Sequence, residues 1–352
     1  MKELVLMKGN EAVAEAAIRA GCRYYFGYPI TPQNEILEYM SWRLPEVGGV
    51  FIQAESEIAA INMVYGAAAA GVRAMTSSSS PGISLKLEGI SYLCGSELPA
   101  TIVNMTRGGP GLGTIQPAQS DYFQAVKGGG HGDYRLLVYG PESVQEMVDL
   151  TFLGVERADH YRNPVLILGD GILGQIMEPV CFPPFVELAS LPNKPWAATG
   201  RHGGPKRVVN SLYLEPEDCE EHNRHLQAKY QDMANIEKRW ETIQAEDASL
   251  LVVAFGTTAR ICRTSVENLR EKGFPVGLFR PVSLWPFPDT ALDKLLGTGR
   301  VRAVLVVEMN AGQMVEDVRL VACGRVPVHF YGRMGGMVPT PEEIQKQVTN
   351  LL

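Results

Sequence analysis

The stretch FGYPITPQ, residues 26–33, closes an apolar segment that begins at Tyr24 and sets two prolines around an Ile-Thr pair. Pro29 and Pro32 fix their own φ and push Tyr28 and Thr31 toward extended backbone. The pattern predicts a strand leaving through a rigid corner, with the Thr31 hydroxyl at its tip. Rigid loops at strand ends are where sites often sit, although a stiff turn can be only a turn. Reading outward, Asn10 stands where it would cap a helix reaching Ala20, and helix-like 33–45 leads to the strand GVFIQ at 49–53. Helix-like 56–70 then precedes VRAMT (72–76), and helix-like 82–94 precedes TIVNMT (101–106). RLLVYG (135–140), helix-like 142–157 and NPVLILG (163–169) complete the series. Strands recurring between helices predict an α/β fold with a parallel sheet covered on both faces, and ligands beyond the carboxyl ends of its strands.

The chain of 352 residues suffices for about two domains at ~100–200 residues each. Apolar residues form 45% and charged residues 20%, the balance of a soluble globular protein. A net charge of −7 gives a nucleic-acid partner no electrostatic support, and no apolar run reaches membrane-span length. MKELVLMKGNEA does not read as a signal peptide, so the expected location is cytoplasmic. The closest pair of the six cysteines, Cys181 and Cys219, stands 38 positions apart, which argues for reduced thiols and against a locally encoded iron–sulfur cluster. Domain bounds are expected at 1–180 and 249–352. Between them, 181–248 reads as a proline-rich linker with a polar helix. Its CEEHNRH offers Cys219, His222 and His225 at metal-like spacing, but structural zinc takes four ligands and a solvated helix face explains the run better.

Each segment after a strand is a candidate site. In QAESEIAAINMVYGAAAAG (53–71) the helix carries no charge from Ile58 to Val72 and is expected to be buried nearly all round. Glu55 and Glu57, at its first turn, complement the helix dipole; alternatively one is a carboxyl in an apolar wall, usable as proton donor and acceptor. TSSSSPGISLKLEG (76–89) places Ser78 and Ser79 before a helix, where they cap it or face an anion. TRGGPGLGTIQPAQSDY (106–122) is not a dinucleotide fingerprint, since Pro110 interrupts its spacing. Its Arg107, directly after a strand, suits a carboxylate ligand or an internal ion pair, and Asp121 suits a loop hydrogen bond or a ligand. GDGILGQ (169–175) begins like a magnesium-diphosphate motif, but Asn193 alone follows at roughly the right distance, and a tight turn is the better reading. His131 in KGGGHGDY (127–134) is a lone loop histidine.

YPITP, AESE, the serine-rich turn with Pro-Gly, RGGPGLG followed by QSDY, RPVSLWPFP (280–288) and VVEMNAGQ (306–313) occur in one order. Together they resemble the α subunit of the 2-oxoacid:ferredoxin oxidoreductases over essentially the whole chain, in particular the branched-chain, 3-methyl-2-oxobutanoate (2-ketoisovalerate) type. The resemblance implies the pyrimidine-binding half of a thiamine diphosphate site followed by a transketolase C-terminal-like domain. It implies a β subunit carrying the diphosphate half-site with Mg2+, and 4Fe-4S clusters on partner subunits. Ferredoxin-like and γ subunits, ferredoxin, coenzyme A and a 2-oxoacid complete the implied partners. By the same resemblance Glu57 hydrogen-bonds the cofactor's aminopyrimidine ring. Thr31 and Arg107 lie near the cofactor and the substrate carboxylate, Ser78 and Ser79 line the cofactor, and Asp121 lines the substrate site. The implied activity is oxidative decarboxylation to acyl-CoA and CO2 with reduction of ferredoxin. 2-Oxoglutarate and pyruvate are alternative substrates; a non-catalytic scaffold subunit and a stand-alone nucleotide-binding dehydrogenase are alternative functions.

Overall fold

The computed structural model describes residues 4–201 and 204–352. The larger of its main sheets has seven strands in the order Ser283–Trp285, Leu137–Tyr139, Pro164–Asp170, Ala100–Thr106, Ala74–Ser78, Tyr24–Gly27, Val50–Gln53. All neighbours are parallel except Ser283–Trp285, which runs antiparallel to Leu137–Tyr139. The central strands Ala100–Thr106 and Pro164–Asp170 are buried at every residue, as continuous apolar runs in a doubly covered sheet must be. Helices Gly9–Arg19, Asn34–Glu46 and Val144–Tyr161 pack together on one face; Glu57–Ala69 and Pro81–Gly95 pack on the other. The chain steps from Tyr24–Gly27 outward to Val50–Gln53 and returns to the opposite flank at Ala74–Ser78. That reversal splays the loops at the carboxyl ends and opens a crevice there.

The second sheet has the parallel strands Val328–Gly332, Ala303–Glu308, Leu250–Val253 and Val276–Pro281, with antiparallel Trp240–Ile243 at its edge. Trp240–Ile243 comes from the stretch read as linker, and Ser283–Trp285 leaves the second unit to edge the first sheet. Neither strand shows in the hydropathy pattern, because three- and four-residue edge strands carry too few alternations. Arg280 ties the units together: its guanidinium donates two bonds to Glu146, at 2.6 and 2.8 Å, and one to Glu241 at 3.1 Å.

Two local expectations change. Asn10 does not cap its helix; Lys8 occupies the cap position, and Asn10 lies inside the helix with its side chain turned to the corner after Tyr24–Gly27. The helix Glu57–Ala69 is not buried all round. Ile58 is half exposed, and Asn62 and Gly66 one and two turns on are exposed, because the sheet and the helix Pro81–Gly95 cover its other sides. The Pro216–Ile236 helix buries Leu226, Tyr230 and Met233 and exposes most of the rest. On its face His222 bonds the Gly95 carbonyl at 2.7 Å and His225 meets Glu97 at 3.0 Å. Among the described residues no group of His, Cys, Asp and Glu has the geometry to hold a metal, and no helix is long and apolar enough to cross a membrane.

Candidate active site

The corner 28–33 is held from three sides. The Pro32 carbonyl accepts from Asn10 Nδ2 at 2.8 Å and from Gln175 Nε2 at 3.1 Å, and both donors also bond Glu35. Inside the corner, buried Gln33 accepts from the Ser77 hydroxyl, which meets the Tyr25 hydroxyl at 2.6 Å. Hydrogen bonds to Glu35 from Gln175, Asn10 and Lys8, together with a backbone bond, outweigh its partial burial and leave its carboxyl below the usual range. Thr31 is exposed at the tip.

Arg107 follows Ala100–Thr106 and is nine-tenths buried. Its guanidinium donates to the Thr31 carbonyl and the Leu112 carbonyl, each at 3.1 Å, which joins the proline corner to the glycine loop. The internal ion pair considered for it is not what holds it. Its backbone N–H donates to Ser80 Oγ at 3.0 Å, and the Ser80 hydroxyl donates back to the Arg107 carbonyl at 3.3 Å. Ser80 occupies the cap position of Pro81–Gly95 with φ 22° and ψ −80°, a backbone conformation that sequence reading of a four-serine run could not assign. Asn104 steadies it by accepting from the Ser80 N–H at 3.1 Å and donating to Asp121 at 2.9 Å. Burial pushes the Asp121 carboxyl up, opposed by its bonds to Ser80 and Asn104.

Glu57 and Glu55 separate cleanly. Glu55 is exposed, whereas Glu57 is 6% exposed at the first residue of its helix, where Ser56 supplies the cap by accepting from the Ala59 N–H at 3.1 Å. The Glu57 carboxylate and the Ser78 hydroxyl close around Gly82 so tightly that a Cβ there would fall 2.7 Å from Glu57 Oε1 and 2.1 Å from Ser78 Oγ. Ser78 and Ser79 are fully buried, and neither hydroxyl has a hydrogen-bond partner among the described residues, so the capping role considered for them does not hold. Ser78 lies in register with Asn104 on the next strand, which brings the Glu57–Ser78 group beside the Ser80–Arg107–Asp121 group.

Two candidates stand outside these two groups. His131 precedes Leu137–Tyr139 and so sits at the amino edge of the sheet, where its carbonyl accepts from Ser91 at 2.8 Å. Asp170 is buried and spends its carboxylate on the Ile172 and Leu173 N–H groups at 2.9 and 3.3 Å, a turn that caps a five-residue helix; Asn193 is exposed. A cleft of about 630 Å³ opens beside Arg107, walled by Pro81, Pro110 and Asp121 and, from the second unit, by Met309, Gln313 and Met334. A buried carboxylate and two hydroxyls without partners among the described residues suit a neutral heteroaromatic ring, while Asp170 uses one carboxylate oxygen to cap a turn.

Comparison with known proteins agrees. Residues 15–242 match the family model for the thiamine diphosphate-binding region of pyruvate flavodoxin/ferredoxin oxidoreductases, and residues 248–344 match core domain II of pyruvate:ferredoxin oxidoreductase. The chain belongs to the 2-oxoacid:ferredoxin oxidoreductase family, as one subunit of a multisubunit enzyme. The ketoisovalerate oxidoreductase subunit VorB of Methanothermobacter thermautotrophicus is 51% identical, over 94% of this chain and 93% of that protein. The 2-oxoglutarate synthase subunit KorA of the same organism is 37% identical over the full length of both. Among solved structures, the 2-oxoglutarate:ferredoxin oxidoreductase of Magnetococcus marinus, with 2-oxoglutarate, coenzyme A and succinyl-CoA bound, superposes with a TM-score of 0.89 at 29% identity. The match covers 99% of this chain and 65% of that one.

Proposed function

We propose that this chain is the α subunit of a branched-chain 2-oxoacid:ferredoxin oxidoreductase, oxidising 3-methyl-2-oxobutanoate to acyl-CoA and CO2. The observation that carries the reading is Glu57: a glutamate nine-tenths buried, at a helix start, beside two hydroxyls with no partner of their own. When bound, thiamine diphosphate supplies the nucleophile and the electron sink. The chain's residues bind and orient around it. Glu57 holds the proton exchanged with a ring nitrogen, and Ser78 and Ser79 bond the ring's polar edge. The Arg107 guanidinium keeps N–H groups beyond its two carbonyl bonds for the substrate carboxylate, with Thr31 and Asp121 beside the reacting end. Residues 1–180 are assigned as the pyrimidine-binding unit and 249–352 as the transketolase C-terminal-like unit. A β subunit then brings the diphosphate half-site with Mg2+, while 4Fe-4S clusters on partner subunits pass electrons to ferredoxin in the cytoplasm.

Identity favours the branched-chain substrate, since the ketoisovalerate subunits stand at 49–51% and a 2-oxoglutarate subunit at 37%. The cleft supports it: among its described lining residues Arg107 is the one cation and Asp121 adds a carboxylate, a poor setting for a second substrate carboxylate. The test is dye reduction by the complex co-purified from its source, with coenzyme A and a panel of 2-oxoacids. Wild type should prefer 3-methyl-2-oxobutanoate, and Glu57→Gln should abolish turnover with assembly intact. Preference for 2-oxoglutarate or pyruvate overturns the substrate, unchanged turnover in Glu57→Gln overturns the site, and a complex without thiamine diphosphate points to a scaffold role.

A further inference from the structure

The helix Pro81–Gly95 lays Gly82, Lys86 and Gly89, one turn apart each, against the start of Glu57–Ala69. The two glycines are there because the opposite helix comes close: a Cβ on Gly82 would meet Glu57, and one on Gly89 would fall 2.6 Å from the Ile61 side chain. Between them stands Lys86, wholly buried. Its ammonium has three N–H groups, and the bond it makes is to the Glu57 carbonyl at 3.3 Å. An ammonium so placed opposes folding unless paired, and a methionine would fill the same space without that penalty.

We propose that Lys86 is a positioning residue for Glu57, an ammonium behind the first helical turn that holds the Glu57 backbone and sets a positive charge against its carboxylate. The inference rests on the reading of Glu57 as the group that binds the cofactor ring. Burial lowers the Lys86 pKa from 10.5 to about 8, and the Glu57 charge opposes that fall. Among the described residues Glu57 is the ionisable group that acts on Lys86 from any neighbouring helix or strand. Lys86 therefore loses its charge within the range where an enzyme can be assayed. The buried charge also has an effect on stability of opposite sign to its effect on the site. Between pH 8 and 10.5 the unfolded chain binds the proton that the folded chain has released, so stability rises with pH across that window.

The experiment is calorimetric titration of the cofactor-depleted complex with thiamine diphosphate and Mg2+ between pH 6.5 and 9.5, for wild type, Lys86→Met, Glu57→Gln and the double variant, with melting temperatures alongside. Lys86→Met should melt higher than wild type below pH 8 yet bind the cofactor about tenfold more weakly at pH 7, one pKa unit's worth of interaction. The deficit should vanish above pH 9, where wild-type Lys86 is itself uncharged, and should be absent on the Glu57→Gln background. A deficit that does not change with pH, or that persists without Glu57, means a packing role and overturns the proposal; so does wild-type affinity in Lys86→Met. If the methionine variant does not assemble, wild-type affinity decides: a loss from pH 7 to 9 that Glu57→Gln removes supports the role, and constant affinity overturns it. Failure of the wild-type complex to bind thiamine diphosphate at any pH sinks the cofactor reading, whereas binding that is indifferent to Lys86 sinks this inference alone.

Discussion

Gly82→Ala adds one methyl group at the point where the Glu57 carboxylate and the Ser78 hydroxyl meet. Its Cβ would lie 2.1 Å from Ser78 Oγ, 2.7 Å from Glu57 Oε1 and 3.1 Å from Glu57 Cγ, where ordinary contact begins near 3.4 Å. The Glu57 oxygen must retreat by about 0.7 Å, and Ser78 must rotate. Both obstacles are the ends of side chains, so the backbone can stay. Alanine in place of glycine in a helix gains up to ~1 kcal/mol, and the added methyl in a packed site costs ~1–3 kcal/mol, a net loss of at most ~3 kcal/mol. The chemistry is less forgiving, because displacing a reacting group by about 1 Å lowers turnover on the order of 100-fold. The assay is kcat for dye reduction by the assembled complex, with melting temperature and subunit composition measured on the same preparation. The expected result is a large fall in kcat with assembly retained. Turnover within about twofold of wild type, in a variant that assembles, refutes the placement of Glu57 against Gly82 as the working geometry.

Two further outcomes follow from the loops around it. Arg107→Lys cannot reach the Thr31 and Leu112 carbonyls and a carboxylate together, so KM for the 2-oxoacid should rise by about tenfold or more while thiamine diphosphate affinity holds; an unchanged KM removes Arg107 from the substrate site. Asn10→Ala deletes the bonds to the Pro32 carbonyl and to Glu35, and should lower stability by ~1–3 kcal/mol in denaturant unfolding; no change in midpoint means the corner is held by its prolines and Gln175 alone.

Much of the scaffold follows from short-range pattern. Apolar runs of four to seven residues separated by helix-length segments specify a parallel sheet, and parallel order places the loops beginning at Tyr28, Ala54, Ser79 and Arg107 on one edge. Thr31, Glu57 and Arg107 are candidates on that ground alone, since each stands just past a strand. Elements that depend on remote partners escape such reading. Trp240–Ile243 and Ser283–Trp285 are strands only because an open sheet edge lies beside them. The helix after Glu57 carries no charge, yet its outer side is exposed, because burial depends on how many neighbours arrive and not on the helix's own residues.

The same division runs through the site. The sequence alone determined the α/β class, the loops gathered at one edge of the sheet and the family to which the chain belongs. Only the tertiary structure shows how differently Glu55 and Glu57 are placed, the first exposed ahead of the helix and the second buried where Gly82 of another helix comes against it. It also turned Arg107 toward the Thr31 carbonyl, singled out Ser80 among four serines, and placed Lys86 behind Glu57. Each of these choices is a contact between segments 25–76 positions apart, and local periodicity holds no information about which distant backbone comes near enough to exclude water.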